Sequence, residues 1–333
     1  MSGRTSYLAK KTAYLAVEVW VALTINFAIP RLMPGDPARV LLSRYLQQGV
    51  VFPPQTLTAF ESLFGISHAP IYVQYGQYLV NTLTGNLGTS FTYYPASVWS
   101  VIRYAVPWDI ALLGVATLLS FALGTFLGLL VGWSRNGKLD SSLTSVFSFL
   151  GAFPYFWVAL GLLYTFSLVY KVFPVGHAYA LNILPNFSLQ FFGSYLYHAF
   201  LPVTTLLLVS LGGWLLLTRN TAVTNLSEDY MLFGQAAGLK KRRMLIYYLG
   251  KNSILPSLTS FSISLGLIVG GAILTEIVFS YPGIGYVLYQ AVLNDDYPLI
   301  QGIFFVITVV VLVTNYIVDL IYGFIDPRVT ATA

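Results

Sequence analysis

Residues 228–256, EDYMLFGQAAGLKKRRMLIYYLGKNSILP, form the only long polar interruption in the C-terminal half of the sequence. Very apolar segments precede and follow this stretch. Its five basic residues are Lys240, Lys241, Arg242, Arg243 and Lys251. Apolar segments need a nonpolar surrounding, whereas clustered positive charge needs water or an anionic surface, so the stretch is typical of a loop at a membrane face. The pattern predicts a helical membrane protein that meets something soluble at this loop.

The composition of the whole chain indicates the same class of protein. Of its 333 residues, 56% are hydrophobic and only 9% are charged, whereas a soluble domain carries about 25% charged residues. Several segments approach or exceed the roughly 20 apolar residues with which a helix crosses a bilayer. The sequence therefore predicts an all-α polytopic membrane protein with six transmembrane helices. We place them at residues 13–29, 109–133, 143–169, 200–217, 254–279 and 300–325.

These spans divide the chain into three predicted parts. Residues 1–33 would hold the N-terminus and the first transmembrane helix; a cleaved signal peptide has a similar layout, but no clear small-x-small cleavage site follows. Residues 34–107 are rich in Pro, Gly and Tyr and have no long apolar run, so they would form an extracytoplasmic subdomain. Residues 108–333 would form a core with the other five helices and a polar loop at 219–253.

Local patterns predict further details of these parts. Short helical patterns occur near residues 56–64 and 71–83, and residues 85–90 (GNLGTS) resemble a turn. Pro154 predicts a kink in the third span. A small-xxx-small stripe, which permits close helix packing, is formed in the second span by Gly124, Gly128 and Gly132.

The distribution of Lys and Arg predicts the orientation. Six spans put both termini on one side. Together with the loops at 134–142 and 218–253, that side holds 12 of the 17 Lys and Arg residues, against 5 on the other. Because cytoplasmic loops carry the excess of positive charge, we expect a multi-pass protein of the cell (plasma or inner) membrane with both termini cytoplasmic. The net charge of +5 then reflects topology and contact with membrane lipid, not nucleic-acid binding.

The sequence contains no catalytic constellation, so we expect no enzyme activity in this chain. It has no cysteine, and its histidines, which lack metal-ligand spacing, are His68, His177 and His198. We therefore expect no metal site and no cofactor. Glu276 and Asp319 lie near apolar spans, where a carboxylate indicates an ion-coupled function by default. Both lie towards helix ends, however, and Asp109 is expected at the interface where its span opens.

Residues 234–243 (GQAAGLKKRR) join small residues to a basic cluster. One interpretation is a loop attracted to the membrane by anionic lipid. The other is a short helix across the membrane face that docks into a cleft of a soluble partner, where small residues permit close approach. Composition alone leaves both interpretations open.

Short motifs follow one another over nearly the whole chain. From residue 229 onward they are Asp229-Tyr230, Ala236-Ala237-Gly238-Leu239, Arg242-Arg243, Leu255-Pro256, Glu276-Ile277-Val278-Phe279, Tyr281-Pro282-Gly283-Ile284-Gly285, Asp296-Tyr297-Pro298 and Asp326-Pro327-Arg328. Earlier ones are Pro34-Gly35-Asp36-Pro37, Gly85-Asn86-Leu87-Gly88-Thr89-Ser90 and Phe173-Pro174-Val175-Gly176. In this order they resemble the permease subunits of ABC importers of the dipeptide/oligopeptide (peptide/nickel/oligosaccharide) family. The long segment after the first span resembles the first of that family's two permease subunits.

The resemblance implies a role for residues 228–256. In the family this stretch is the EAA loop, whose short coupling helix inserts into a groove on the ATPase subunit. Carried over residue by residue, the ATPase-coupling site comprises Gly234, Gln235, Ala236, Ala237, Gly238, Leu239, Lys240, Arg242 and Arg243. The Glu-Ala-Ala positions of the family correspond here to Leu232, Phe233 and Gly234, so the glutamate is absent. Ala237 stands where many relatives carry lysine.

The resemblance also implies a type I ABC importer fold and a set of partners. These are a second homologous permease subunit, two cytoplasmic ATPase subunits that carry ATP and Mg²⁺, and an extracytoplasmic substrate-binding protein. The last would meet residues 34–107, 171–198 and 280–299. The expected cargo is a peptide, with an oligosaccharide or nickel as alternatives for the same machinery. A standalone secondary carrier is the alternative of another class, but it predicts paired inverted repeats, and the sequence has no convincing repeat.

Overall fold

The computed structural model describes residues 2–32, 69–135, 137–266, 268 and 272–325. Within these ranges the chain is almost wholly helical, and its one β-bridge, between Thr89 and Ser97, stands outside any strand. The predicted all-α fold is therefore confirmed. The helix predicted near residues 56–64 and one of the three histidines, His68, lie outside the described residues.

The helices follow one another with few long connections. The first are α1 (Ser2–Leu32), α2 (Ile71–Leu83), α3 (Val98–Trp133) and α4 (Lys138–Gly151). Next come α5 (Tyr155–Leu162) with the π-helical turn π1 (Leu163–Val169), then α6 (Leu189–Asn225) and α7 (Asp229–Ala236). They are followed by α8 (Lys241–Arg243), π2 (Met244–Gly250), α9 (Lys251–Ser253) and α10 (Leu255–Gly266). The last are α11 (Ile273–Val278), α12 (Ile284–Leu293) and α13 (Tyr297–Ile325).

Four of these helices are long and apolar enough to cross a membrane. They are α1 over Ala9–Ile29, α3, α6, and α13 over Tyr297–Ile317. They cover the first, second, fourth and sixth predicted spans, and the chain is a multi-pass membrane protein. The helix predicted at residues 71–83 coincides with α2. α3 and α6 begin at Val98 and Leu189, in each case about three helical turns before the predicted span.

The third predicted span differs most from expectation. The sequence predicts one kinked helix, whereas α4 and the α5–π1 run meet at 95°. Pro154 lies at the break. It has no N–H to donate and disfavours the helical conformation of Phe153, so α4 ends before it. The fifth predicted span corresponds to α10 and α11, and residues 267 and 269–271 between them lie outside the described part. The count of six spans therefore stays a prediction.

The chain forms two compact units, one comprising Met1–Pro107 and Gly283–Ala333 and the other Trp108–Pro282. The C-terminal segment from Gly283 onward thus groups with the N-terminal part. The reason is that α13 packs along α1. The predicted division into residues 1–33, 34–107 and 108–333 stays a prediction.

In the first unit, buried polar contacts join distant parts of the chain. Asn26 of α1 donates a hydrogen bond to the carbonyl oxygen of Gln301 in α13 at 2.8 Å. Asp296 is fully buried and accepts hydrogen bonds from Ser90 Oγ at 2.5 Å and from the backbone N–H of Thr92 at 2.8 Å. A buried carboxylate needs such donors because it has lost its water. These bonds fix the segment after α2 to the start of α13.

In the second unit, α3 packs on α6 through the predicted glycine stripe. A Cβ on Gly124 would lie 2.5 Å from the Cβ of Trp214, and a Cβ on Gly132 would lie 2.7 Å from the Cβ of Ala222. A Cβ on Gly128 would overlap the backbone of α6. No side chain fits at these three positions, so the predicted close packing of small residues is confirmed.

Candidate functional site

The stretch that interrupts the apolar segments folds into α7, a tight turn, and the helical run of α8, π2 and α9. At the turn, the N–H of Leu239 donates to the carbonyl of Gly234 at 3.1 Å and that of Gly238 to Gln235 at 3.0 Å. Gly238 has a φ of +70°. This is the Schellman arrangement, in which a left-handed residue after the helix gives the last carbonyls their donors. Glycine adopts this φ without the steric cost of a Cβ.

One face of α7 packs against the chain itself. Met231 and Gly234, which lie three residues apart, are both buried. Met231 forms an apolar cluster with Ala222, Met244 and Leu249, which we call the Met231 cluster. A Cβ on Gly234 would lie 3.6 Å from the Cε of Met244, an ordinary contact distance. Gly234 therefore faces the interior of this unit. Within the predicted coupling site it would support α7 from beneath and would not contact a partner.

The opposite face of α7 is exposed and apolar. Leu232 is 55% exposed and Phe233 is 74% exposed. Gln235, Ala236 and Ala237 are exposed beside them. Adjacent large apolar side chains on a surface mark a site of interaction with protein or lipid. This face ends at the turn, so the apolar side chains of α7 and the small residues Ala236, Ala237 and Gly238 are exposed next to one another.

The basic cluster begins directly after the turn. The carbonyl of Lys240 accepts hydrogen bonds from the N–H groups of Arg243 and Met244 at 2.9 and 3.1 Å and so starts the next helical run. The four consecutive basic residues from Lys240 to Arg243 are all exposed. Exposed positive charge beside an apolar patch attracts an anionic surface. The arrangement therefore combines an apolar contact face with a cationic border.

The structure brings most of the predicted site residues to this surface. Those that are exposed lie on one continuous segment and are Gln235, Ala236, Ala237, Gly238, Lys240, Arg242 and Arg243. Leu239 is half-buried and packs on the Met231 cluster. The same surface also carries Leu232 and Phe233, which occupy two of the Glu-Ala-Ala positions that the resemblance implies but are not part of the predicted coupling site. Met231, Leu232 and Phe233 are all apolar, so the sequence does not show which of them is exposed. The structure does, because burial of Met231 and Gly234 turns residues 232 and 233 outward.

Two of the carboxylates singled out in the sequence, Glu276 and Asp109, are buried. Glu276 Oε1 accepts a hydrogen bond at 2.6 Å from the N–H of Ala272, the residue that precedes α11, so it reaches back to its own helix start. Asp109 is fully buried and lies inside α3, which begins at Val98, so it does not open that helix. Its expected position at the membrane interface stays a prediction. The side chain of Asp319 lies outside the described part.

Two of the histidines line one open cavity of about 360 Å³, which also borders Pro174 and Ser280. His198 Nδ1 lies 2.8 Å from the carbonyl oxygen of Ser194 in the preceding turn of α6. The backbone N–H of His177 donates a hydrogen bond to the carbonyl oxygen of Phe279 at 2.9 Å. Among the described residues, no group of three or more His, Cys, Asp or Glu side chains could hold a metal ion.

Comparison with known proteins identifies one family of membrane proteins over most of the chain. Residues 124–331 match the family described as "Binding-protein-dependent transport system inner membrane component". This range begins in α3 and contains the whole of α7, its turn and the basic cluster.

Individual relatives align over almost their full length. The chain is 28% identical to the Oligopeptide transport system permease protein AppB of Bacillus subtilis (strain 168), an alignment that covers 97% of this chain and 99% of the relative. It is 31% identical to the Di/tripeptide transport system permease protein DppB of Pseudomonas aeruginosa (strain UCBPP-PA14), with 97% and 98% covered. It is also 31% identical to the Dipeptide transport system permease protein DppB of Alkalihalophilus pseudofirmus, with 96% and 98% covered.

Proposed function

Because the chain belongs to the family of binding-protein-dependent transport system inner membrane components and is a permease subunit of an ABC importer, we propose that its cargo is a peptide. One observation carries this proposal: relatives whose names specify oligopeptides, di/tripeptides and dipeptides align with 96–97% of the chain. An oligosaccharide or nickel ion carried by the same machinery is the alternative. The subunit would form half of the translocation pathway.

We assign the ATPase-coupling role to the exposed surface of α7 and its turn. Leu232 and Phe233 supply apolar area that is buried when a groove closes over them, and burial of a large apolar side chain contributes about 1.5–3 kcal/mol. Ala236 and Ala237 let a partner approach the helix backbone closely. The basic residues that follow would face acidic groups at the groove's edge or anionic headgroups. Both interpretations of this loop, docking and lipid contact, thus apply to different residues of it.

The remaining partners complete the importer. A second, homologous permease subunit would supply the other half of the pathway, and two cytoplasmic ATPase subunits would carry ATP and Mg²⁺. We place both chain termini and α7 in the cytoplasm because of the excess of Lys and Arg on that side. A substrate-binding protein would then deliver cargo to the opposite face, at residues 34–107, 171–198 and 280–299. The long segment after α1 supports a role as the first of the two permease subunits.

Reconstitution tests the proposal. The chain is placed in liposomes with its second permease subunit and ATPases, and the binding protein, labelled cargo and ATP are added. We expect ATP-dependent uptake of di- or oligopeptides that stops when the ATPases are omitted. Uptake of oligosaccharides or Ni²⁺ without any uptake of peptides would contradict the cargo. Uptake driven by an ion gradient with the purified chain alone would contradict the whole assignment and indicate a secondary carrier.

A further inference from the structure

A bidentate ion pair joins α4 to α6 within the second unit. Arg219 Nε donates to Asp140 Oδ1 and Arg219 Nη2 donates to Asp140 Oδ2, each at 2.8 Å. Thr144 Oγ1 adds a third hydrogen bond to Asp140 Oδ1 at 3.2 Å. The Asp140 side chain is 6% exposed and that of Arg219 is 25% exposed, so the pair lies largely out of water. Two parallel bonds give such a pair a fixed geometry as well as strength.

The same two helices come into backbone contact further along. A Cβ on Gly212 of α6 would lie 2.5 Å from the carbonyl oxygen of Phe147 in α4. A Cβ on Gly151 would lie 3.7 Å from the carbonyl oxygen of Val209. Residue numbers rise along α4 as they fall along α6, so the two helices run antiparallel. Gly212 has no side chain to hold them apart.

The ion pair and the glycine contact specify one register. Seven residues separate Asp140 from Phe147, and seven separate Gly212 from Arg219, which is about two helical turns on each side. A slip by one turn, about 5.4 Å, would set Asp140 against apolar residues of α6 and bring a side chain to the place that Gly212 leaves open. Specifying register is the best-attested role of buried polar and ionic groups.

Arg219 lies next to the support of α7. A Cβ on Gly132 of α3 would lie 3.1 Å from the carbonyl oxygen of Arg219 and 2.7 Å from the Cβ of Ala222. Ala222, one turn after Arg219, is buried in the Met231 cluster beneath α7. A shift of α6 along α4 would therefore move the side chains on which α7 rests.

We propose that Asp140 and Arg219 are positioning residues that lock α4 and α6 in register, so that a movement of α7 is passed to both helices together. This inference rests on the proposed function, in which α7 contacts the ATPase. Helices that meet only through small and apolar side chains can slide past each other by small shear steps. The ion pair resists such sliding, and α4 and α6 then rotate as one body.

The register is measured on the permease subunit without its ATPase. Because the chain has no cysteine, two double-cysteine variants can be compared. The variant Gly151→Cys with Val209→Cys reports the observed register, and the variant Gly151→Cys with Thr205→Cys reports a slip by one turn. We expect the 151–209 crosslink to dominate in the parent chain. In the double variant Asp140→Asn with Arg219→Gln, which leaves no unpaired charge, it should fall at least threefold while the 151–205 crosslink rises. An unchanged crosslink pattern would overturn the register lock.

Coupling is measured in the reconstituted importer as peptide transported per ATP hydrolysed. We expect the neutral double variant to lose at least tenfold, and Arg219→Lys, which retains the charge but not the paired bonds, to lose less. Reversal of the pair, Asp140→Arg with Arg219→Asp, should recover part of the loss. Recovery is incomplete because position 140 lies in the first turn of α4, where positive charge is unfavourable. Lys138→Gln, an exposed neighbour, is the matched control and should leave coupling unchanged.

The outcomes separate this inference from the function on which it rests. A reversed pair that couples no better than the neutral pair, or a lost register with full coupling, overturns the positioning role. If the parent complex itself moves no peptide, the proposed function fails, and the crosslinks alone then decide whether the pair sets the register.

Discussion

Replacing Gly238 with alanine tests the turn that ends α7, because this turn depends on a backbone conformation and not on side-chain contacts. Gly238 has a φ of +70°, and no heavy atom lies within 4 Å of the position that its Cβ would occupy. The substitution therefore introduces no clash. Its effect comes from holding an L-residue in the left-handed region.

The magnitude follows from two opposing contributions. A non-glycine residue in the left-handed conformation costs roughly 1–2 kcal/mol. The lower flexibility of alanine in the unfolded chain offsets about 0.4–1 kcal/mol of this cost. We therefore expect the turn to lose about 1 kcal/mol, which makes its open form about fivefold more populated. Gly238→Asn should lose less, since asparagine tolerates the left-handed region better than alanine.

Hydrogen exchange measured by mass spectrometry on residues 229–243 in nanodiscs reports this opening directly. The amides of Gly238 and Leu239, which donate the two bonds of the turn, should exchange about fivefold faster in Gly238→Ala. Gly234→Ala is the matched control: it adds the same methyl group inside α7, where replacing glycine stabilises by about 0.5–1 kcal/mol. Normal exchange in Gly238→Ala together with faster exchange in Gly234→Ala would refute the assignment of the turn.

Four further substitutions test the contact face of α7, the cluster that supports it, the turn that follows it, and the buried Asp296. Phe233→Ala, on the exposed face of α7, should change the free energy of unfolding by no more than about 0.5 kcal/mol but weaken binding of the ATPase at least tenfold in a pull-down titration. Met231→Ala, in the cluster beneath, should lower the free energy of unfolding by about 2–5 kcal/mol. The reverse pattern would contradict the assignment of the contact face and the supporting face. Ala237→Trp should abolish transport and uncouple ATP hydrolysis while membrane insertion stays normal, and unchanged transport would contradict docking at this turn. Asp296→Asn should lower the free energy of unfolding by about 1–3 kcal/mol, because Asp296 accepts the bonds of Ser90 Oγ and Thr92 N–H; a melting temperature equal to that of the parent chain would contradict it.

The features that could be predicted from the sequence depend on local properties of the chain. The apolar length of α3 and α6 identifies them as membrane-spanning helices, because a bilayer demands that length of any sequence. Glycines spaced four residues apart share one face of a helix in every context, so the close packing of α3 was open to prediction, whereas its partner α6 was not. The limits of residues 71–83 were predictable for the same reason, since a proline and a turn flank them.

The features that could not be predicted depend on what each residue meets in space. Nothing in the local pattern around Asp109 shows that α3 starts at Val98, because residues 98–108 contain Arg103 and Pro107, which are typical of a segment outside a membrane span. Pro154 announces an interruption but not the 95° angle, which is set by the packing of α4 and α5 on α6. The partnership of Asp140 with Arg219 joins residues 79 positions apart, and neither residue carries a sequence signal for the other.

The exposed face of α7 changes the expected chemistry of docking. Leu232 and Phe233 occupy the positions that correspond, by the family resemblance, to glutamate and alanine. A carboxylate at the first position would contribute through charge, and its contribution would weaken as salt screens it. Apolar side chains contribute through the area that they remove from water, which salt affects little. The turn at Gly238 places these side chains and the basic cluster at different parts of one surface. In the proposed docking, apolar burial would therefore set the strength of binding, and the cluster would set how the partner approaches and is oriented.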